Sequence, residues 1–503
     1  MSASARTDEA LLRIAVVGHT NAGKTSLLRT LTRRAEFGEV SDLPGTTRHV
    51  EQVDLRLDGA PPIRFLDTPG LEDAVGLREH LDAFADRPAP PDRIRGFLGS
   101  PEAHGSFEQE AKVLRALLDA DAAFLVIDVR EPVLPKFRAE IELLNACGRP
   151  VLPVLNFVRH ASERESEWRG LLTAHGLHAM ARFDAAAPFV GAERELYQDL
   201  GTLLPGRREA LRRIALSLAE EAATRRSAAA RCIAGLLIEA AALRHDIAAP
   251  VMADPRQRLD AIGELERAVA AAAQRCKAQL LALHAFRAED ADEAAMPVIE
   301  GRWEQDLFDP QALKEAGVRL GKGAAVGAGI GVAADLALAG LSLGAGAALG
   351  GAIGGAVSQG FGPMGRKLAK RLRSVHELTV EDGVLLLLAR WPLQLVRLLE
   401  QRGHAETSRL SPDDTAHAQV AQAAGLQGNT LHAPADLLRA LRPARQRPDW
   451  ATGPGPLRRA SSDAQRETVT QEVARQLLLA LDADGDGAAP PGPRPTGRAR
   501  GLE

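Results

Sequence analysis

Short apolar runs punctuate the first third of the chain, at residues 12–17 (LRIAVV), 63–66 (IRFL), 123–127 (AFLVI) and 151–155 (VLPVL). Runs of this length, spaced by helix-length segments, predict buried parallel strands of an α/β sheet. Residues 108–120 place Val113, Leu114, Leu117 and Leu118 on one helical face. That face predicts a crossover helix between strands. The Pro-, Gly- and charge-rich stretch 81–107 is longer than a normal connection and reads as an insertion loop near the site.

After about residue 205 the pattern changes to long Ala-, Leu-, Arg- and Glu-rich segments, 206–248 and 256–290, without strand signals. These predict helices paired antiparallel. Helical periodicity resumes at 374–400 and 416–441, and residues 323–357 stand apart as a Gly-rich apolar stretch whose single charge is Asp335. From 443 onward Pro, Gly and Arg predict a disordered tail, with a short helix at 464–481 as the exception. The expected fold class is α/β: a P-loop domain with a mainly parallel sheet, then a mainly α-helical domain with a glycine-rich apolar hairpin. The expected boundaries are an N-terminal tail at 1–10, a nucleotide domain at 11–205, a helical domain at 206–442 and the tail at 443–503.

Composition narrows the function classes. The 503 residues are 45% hydrophobic, too apolar for a disordered protein and too long for one ordinary domain. Sixty-two Lys and Arg against 66 Asp and Glu give a formal net charge of −4, which offers no global basic field toward nucleic acid. Cys147, Cys232 and Cys276 lie far apart in sequence without C-x-x-C spacing, so neither a disulfide scaffold nor a thiolate metal site is expected, and a reducing compartment is implied. The first twenty residues lack the apolar core of a secretion signal, which places the expected location in the cytoplasm. Aromatics are only 4%, which favours helices over β sandwiches.

The most specific chemistry is Gly18-His19-Thr20-Asn21-Ala22-Gly23-Lys24-Thr25, a complete G-x-x-x-x-G-K-T between a strand and the helix that opens at Ser26. Backbone N–H groups and the helix N-terminus suit phosphate, Lys24 suits the β and γ phosphates, and the Thr25 hydroxyl suits Mg²⁺. Asp67-Thr68-Pro69-Gly70 follows the second run, where a phosphate-loop protein needs a carboxylate for the Mg²⁺ shell and a glycine N–H near the γ phosphate. Pro44-Gly45-Thr46-Thr47-Arg48 lies between the two motifs in a polar loop.

Taken in order, GHTNAGKTSLL, PGTTRHV and DTPGLED resemble the TrmE, Era and EngA branch of the translation-factor-related GTPases, over roughly residues 11–190. The resemblance implies GTP hydrolysis, with Thr47 closing on Mg²⁺ beside Thr25 and Asp67. It implies a K⁺ ion at Asn21, whose alternative role is a loop-stabilising amide. It further implies a nucleotide-contacting set of Gly18, Asn21, Ala22, Gly23, Lys24, Thr25, Ser26, Asp67, Gly70 and Asn156, and a nucleotide-dependent pairing of two copies. Leu71 stands where Ras-like proteins carry the water-orienting glutamine. An ungapped count from Asp67 places Glu79 at the glutamate used by TrmE-like members, the alternative being an exposed helix residue.

The chain departs from that branch at the base-recognition motif N-K-x-D, which reads Asn156-Phe157-Val158-Arg159. The missing aspartate accepts protons from guanine, whereas Arg159 only donates, so guanine selectivity is in question. Asp184 reads either as a substitute carboxylate or as a turn cap.

Residues 323–357 divide at Gly340-Leu341-Ser342-Leu343-Gly344 into two short halves with small residues four apart and basic flanks. Such a hairpin suits close helix approach and the positive-inside tendency. Asp335 would cost about 2.5–3.5 kcal/mol at a bilayer centre, so burial in a soluble helical core competes with membrane contact. Asp482 to Gly487 begins like a calcium loop, but Pro493 occupies the position of its closing glutamate. Two functions remain: a nucleotide switch acting through the helical domain on a protein partner or membrane, and a membrane-associated structural module whose nucleotide domain hydrolyses poorly and has relaxed base specificity.

Overall fold

The computed structural model describes residues 11–34, 37, 50–81, 89–159, 162–287, 375–404, 434–451 and 460–483. The chain forms two compact units, one of Met1–Thr224 with Glu400–Ser408, the other of Arg225–Leu399 with Arg409–Glu503.

The first unit holds β1 (Leu12–Val17), α1 (Lys24–Thr32), β2 (Glu51–Leu55), β3 (Ile63–Asp67), α2 (Ala74–His80), α3 (Pro90–Leu98), α4 (Glu108–Asp119), β4 (Ala122–Asp128), α5 (Pro135–Ala146), β5 (Val151–Asn156), α6 (Ser162–Ala174), β6 (Ala181–Arg182) and α7 (Ala192–Leu203). Its sheet runs β2-β3-β1-β4-β5-β6, parallel except that β2 lies antiparallel to β3. Both faces are covered, which is why the central strands read as continuous apolar runs. Val17, Leu125 and Leu155 face a core with Leu114, Leu117 and Trp168, whereas Val16, Phe124 and Val154 face one with Leu27, Leu31 and Tyr197.

The second unit packs β7 (Arg244–Ala248), α9 (Ala249–Ala253), α10 (Pro255–Leu283), β8 (Val375–Thr379), α11 (Asp382–Glu400), α12 (Pro434–Leu441) and α13 (Ala460–Ala483) around Ala- and Leu-rich surfaces. Helix α8 (Arg208–Ala242) is continuous across the division, contributing Leu211, Ile214 and Leu218 to the first unit and Ile233, Leu237 and Ile238 to the core of the second.

Three expectations need correction. The stretch 81–107 is not simply a loop, because α3 begins at Pro90 with proline in its first turn and buries Ile94 and Phe97, three residues apart on one face. Residues 244–248, expected to be helical, pair antiparallel with 375–379 as a two-stranded sheet. The pairing partner lies over a hundred residues away, so no local pattern announces it. The third correction concerns residues 443–451, expected to be disordered: Trp450 is fully buried in the helical core, while the helix expected at 464–481 is present as α13 and places Val473, Leu477 and Leu481 in the same core. Those i, i+4 apolar positions outweigh the surrounding Pro and Gly. The three cysteines are free, and Cys232 Sγ on α8 stands 3.4 Å from Cys276 Sγ on α10. The hairpin at 323–357, residues 416–433 and the acidic turn beyond Ala483 lie outside the described residues. Among the described residues no helix is long and apolar enough to cross a membrane.

Candidate functional site

The carboxyl ends of β1 and β3 bring the two principal motifs together, since Val16 sits beside Asp67 in parallel register. Thr68 Oγ1 donates to Val16 O at 2.7 Å and fixes that junction. Helix α1 then starts at Lys24 with Gly23 as its left-handed cap, leaving its first N–H groups directed at the loop. Lys24 is buried and its Nζ donates to Gly18 O at 3.0 Å and His19 O at 2.9 Å, so the ammonium lies across the mouth of its own loop. Burial pushes its pKa down to about 8, against the opposing charges of Asp67 and Glu140.

Thr25 Oγ1 donates to Asp67 Oδ2 at 2.7 Å, while Asp67 Oδ1 is buried without a hydrogen-bond partner. Burial raises the Asp67 carboxyl to about 6, against the Thr25 hydrogen bond and the Lys24 charge. An orphaned buried carboxylate oxygen beside a threonine hydroxyl fits a hard divalent cation. Among the described residues no group of three or more His, Cys, Asp or Glu side chains could hold a metal, so such a cation would rely on Thr25, Asp67 and phosphate oxygens. Gly70 closes the same corner: a Cβ there would lie 2.3 Å from Thr20 Oγ1 and 2.7 Å from Thr20 N. Only a glycine permits this approach of the two loops.

Asn156 is buried at the end of β5 and both its amide nitrogen and its amide oxygen are engaged. Nδ2 donates to Ala22 O at 3.0 Å, and Oδ1 accepts from Phe157 N at 3.0 Å and Ala185 N at 2.9 Å. It therefore ties the phosphate loop to the loop after β6. Arg159 is turned to the loop after β6: its Nε donates to Ala187 O at 2.7 Å and its guanidinium lies 4.6 Å from the Phe189 ring centroid. Asp184 is the turn cap, its Oδ1 accepting from Ala186 N and Ala187 N at 3.2 Å.

The remaining expected residues are distributed unevenly. Asn21 is exposed in the left-handed region with φ 63°, and Ser26 is half-buried in the first turn of α1. Glu79 is an exposed residue near the end of α2. Thr47 lies outside the described residues.

Two groups escaped the sequence reading. Glu110, buried on α4, accepts from Glu72 N at 2.8 Å and Asp73 N at 2.7 Å, anchoring the segment that follows Gly70. Its position three and four residues before Val113 and Leu114 was the available signal. His19 stacks edge-on against Phe137 and links Lys136, 2.8 Å from Nε2, to buried Glu140, 2.8 Å from Nδ1. Lys136 can only donate, so Nδ1 carries the proton given to Glu140.

Comparison with known proteins places this geometry. Residues 13–157 match the profile described as a 50S ribosome-binding GTPase, and residues 169–475, more than half the chain, match a domain of unknown function, DUF3482. The tRNA modification GTPase MnmE of Synechococcus sp. (strain CC9605) is 31% identical over 202 residues, covering 40% of each chain. That of Synechococcus sp. (strain CC9311) is 46% identical over 80 residues, or 15% of this chain and 17% of the relative. The chain thus spans well under half the length of these curated relatives. Among solved structures, Era in complex with MgGDPNP and nucleotides 1506–1542 of 16S ribosomal RNA is 21% identical, with a TM-score of 0.26 over 35% of this chain and 51% of that one. The chain carries a P-loop GTPase domain similar to that of MnmE and, through the larger match, belongs to the DUF3482 family.

Proposed function

We propose that the protein is a Mg²⁺-dependent GTPase that works as a conformational switch for its helical region. The observation that carries the reading is the buried Thr25–Asp67 pair, with its orphaned Oδ1, beside Lys24 at the start of α1. Three elements of one catalytic electrostatic site converge there: a cation for the phosphates, a hydroxyl and carboxylate for Mg²⁺, and free helix N–H groups. Bound Mg²⁺ would neutralise phosphate charge, held by Thr25 and Thr47 directly and by Asp67 through water. Lys24 would leave its carbonyl partners for the phosphates, and Gly70 would report the γ phosphate to the segment that Glu110 holds. Asn21 is proposed to support a K⁺ ion, and Glu79 to orient water once α2 moves.

The absence of glutamine at Leu71 and the exposure of Glu79 favour slow intrinsic turnover. Guanine is the proposed base on the strength of the GTPase match, with a narrower margin over adenine because Arg159 is committed to carbonyl oxygens. The basic flanks and small-residue spacing of 323–357 support membrane contact as the output, and this hairpin would belong to a helical domain following a nucleotide domain that begins at residue 11.

Side-by-side binding and turnover with GTP, ATP and their diphosphates tests the proposal. We expect Mg²⁺-dependent GTP hydrolysis, faster in K⁺ than in Na⁺, and its loss in Lys24→Ala with the fold retained. Unchanged affinity and rate in that variant would overturn the reading. Equal rates in the two salts would remove Asn21 alone, and failure of the intact protein to bind liposomes in either nucleotide state would remove the membrane output.

A further inference from the structure

Loop 185–187 is three consecutive alanines, so its position is set by peptide groups alone, and each of those groups has a partner. Ala185 N donates to Asn156 Oδ1, and Ala185 O accepts from Thr30 Oγ1 at 2.8 Å. Ala186 N and Ala187 N both donate to Asp184 Oδ1, and Ala187 O accepts from Arg159 Nε. The sixth group, Ala186 O, accepts from Gly403 N at 2.7 Å. Five of the six bonds come from residues on the adjoining strand ends, their loops or α1. The last comes from a segment more than two hundred residues further along the chain, which nevertheless belongs to the same compact unit.

Residue 403 has no room for a side chain. A Cβ there would lie 1.8 Å from Ala185 O, 2.9 Å from Ala185 C and 2.9 Å from Thr30 Oγ1. The obstructing atoms are mostly backbone, so a larger residue must displace either the alanine loop or its own segment. The GTPase match ends at residue 157, before the alanine loop, whereas the family match from 169 to 475 contains both the alanine loop and Gly403.

We propose that the alanine loop, bound by Asn156 and Arg159 of the base-recognition stretch, is the base-side wall of the nucleotide site and that Gly403 positions it, so that the C-terminal part of the chain sets how a purine base is held. The proposal rests on the nucleotide reading above. Gly403 bonds the alanine loop directly, whereas the phosphate loop lies one link further on, through Asn156 to Ala22, so displacing the wall perturbs the base side first. The phosphate grip is built on Lys24, Thr25 and the start of α1, whereas the α1 atom that a Cβ at 403 would meet is Thr30 Oγ1, later in the helix.

The test uses the full chain with Gly403→Val and Thr30→Val, the second removing the neighbouring donor to Ala185 O without adding bulk. Affinities are measured for GDP and for inorganic tripolyphosphate, which has no base. Gly403→Val should weaken GDP at least tenfold and narrow the GDP-to-ADP preference, and Thr30→Val should weaken GDP severalfold. Tripolyphosphate affinity should stay within twofold in both. Reciprocity requires GDP to slow hydrogen exchange at the Gly403 amide in the unmodified protein, a reading that needs no variant. GDP affinity unchanged in Gly403→Val, equal losses for GDP and tripolyphosphate, or exchange at Gly403 indifferent to GDP would each overturn the proposal. If the unmodified protein binds tripolyphosphate but no nucleotide, the nucleotide reading and this inference fall together.

Discussion

The two units bury ionisable groups for different ends. In the nucleotide unit Lys24, Asp67, Glu110 and Glu140 sit in the interior and address loops: the phosphate loop, the segment after Gly70 and the His19 ring. In the helical unit the buried guanidinium of Arg397 donates to Ala480 O at 2.7 Å and half-buried Arg445 donates to Val380 O at 3.0 Å, joining one rigid element to another. A buried charge is costly wherever it lies. Where its partner is a loop, the cost can be relieved by a ligand; where its partner is a helix end or strand end, it is repaid by the fold itself.

The strongest way to break this contrast is Trp450→Ala. The indole is fully buried in the helical core, and its removal should cost about 3–5 kcal/mol in urea unfolding of that unit. GDP affinity should survive at concentrations where the unit is folded. Parallel loss of both would show that the units do not behave separately.

Asp67 sharpens the contrast through pH. Its folded pKa, about 6, lies above the ordinary 3.8 because burial disfavours the charge. A raised pKa means that the contribution to stability is full below about pH 4 and is lost as pH rises through 6. In nucleotide-free, metal-free protein Asp67→Asn should therefore be the more stable form at pH 7.5, by up to about 3 kcal/mol, with the gap closing toward pH 4. Denaturation midpoints of the two proteins at both pH values measure this. A wild type that gains on the variant as pH rises would show that Thr25 and Lys24 already compensate the buried charge.

Glu110→Gln should act on loop order rather than on the fold. Both Glu72 N and Asp73 N donate to the same Oε1, so the amide keeps that acceptor but loses the negative charge that strengthens the two bonds, about 1–2 kcal/mol together. Hydrogen exchange at residues 72 and 73 should accelerate while the protection of β4 and β5 is unchanged. Equal acceleration throughout the sheet would make Glu110 a general core residue.

The smallest effect is chemical. Burial drives the Cys147 thiol up to about 12, whereas contact with Cys276 lowers the half-buried Cys232 thiol. Contact with Cys232 and burial also push the Cys276 thiol well up, so iodoacetamide at pH 8 should label Cys232 first and both buried thiols, Cys147 and Cys276, later, as peptide mass spectrometry would show. Preferential labelling of Cys147 would contradict the packing around α5.

Legibility followed the same division. The apolar runs at 12–17, 123–127 and 151–155 announced β1, β4 and β5 because a strand covered on both faces must be apolar throughout. The convergence of Lys24, Thr25, Asp67 and Gly70 at one corner was readable because a motif suited to phosphate and cation chemistry restricts both residue type and spacing. Strand β2 was not, since EQVDL lies on the sheet edge and buries only Val53 and Leu55. Nor was β7, where RHDIA buries only Ile247 and pairs with a segment distant in sequence. Glu110 and Gly403 stayed hidden for a further reason: each serves backbone groups elsewhere, and backbone groups leave no residue-type signature.

The alanine loop carries a consequence for how the sequence can drift. Ala186 and Ala187 are half-buried and contribute only methyl groups, while their amides and carbonyls hold the structure. Such a loop is indifferent to spelling and strict about length. Serine or other small residues at either position should be silent, but one inserted or deleted residue would shift every donor past its acceptor. Relatives could therefore lose all recognisable letters here and keep the same wall, recognisable only by the count of residues between Asp184 and Pro188.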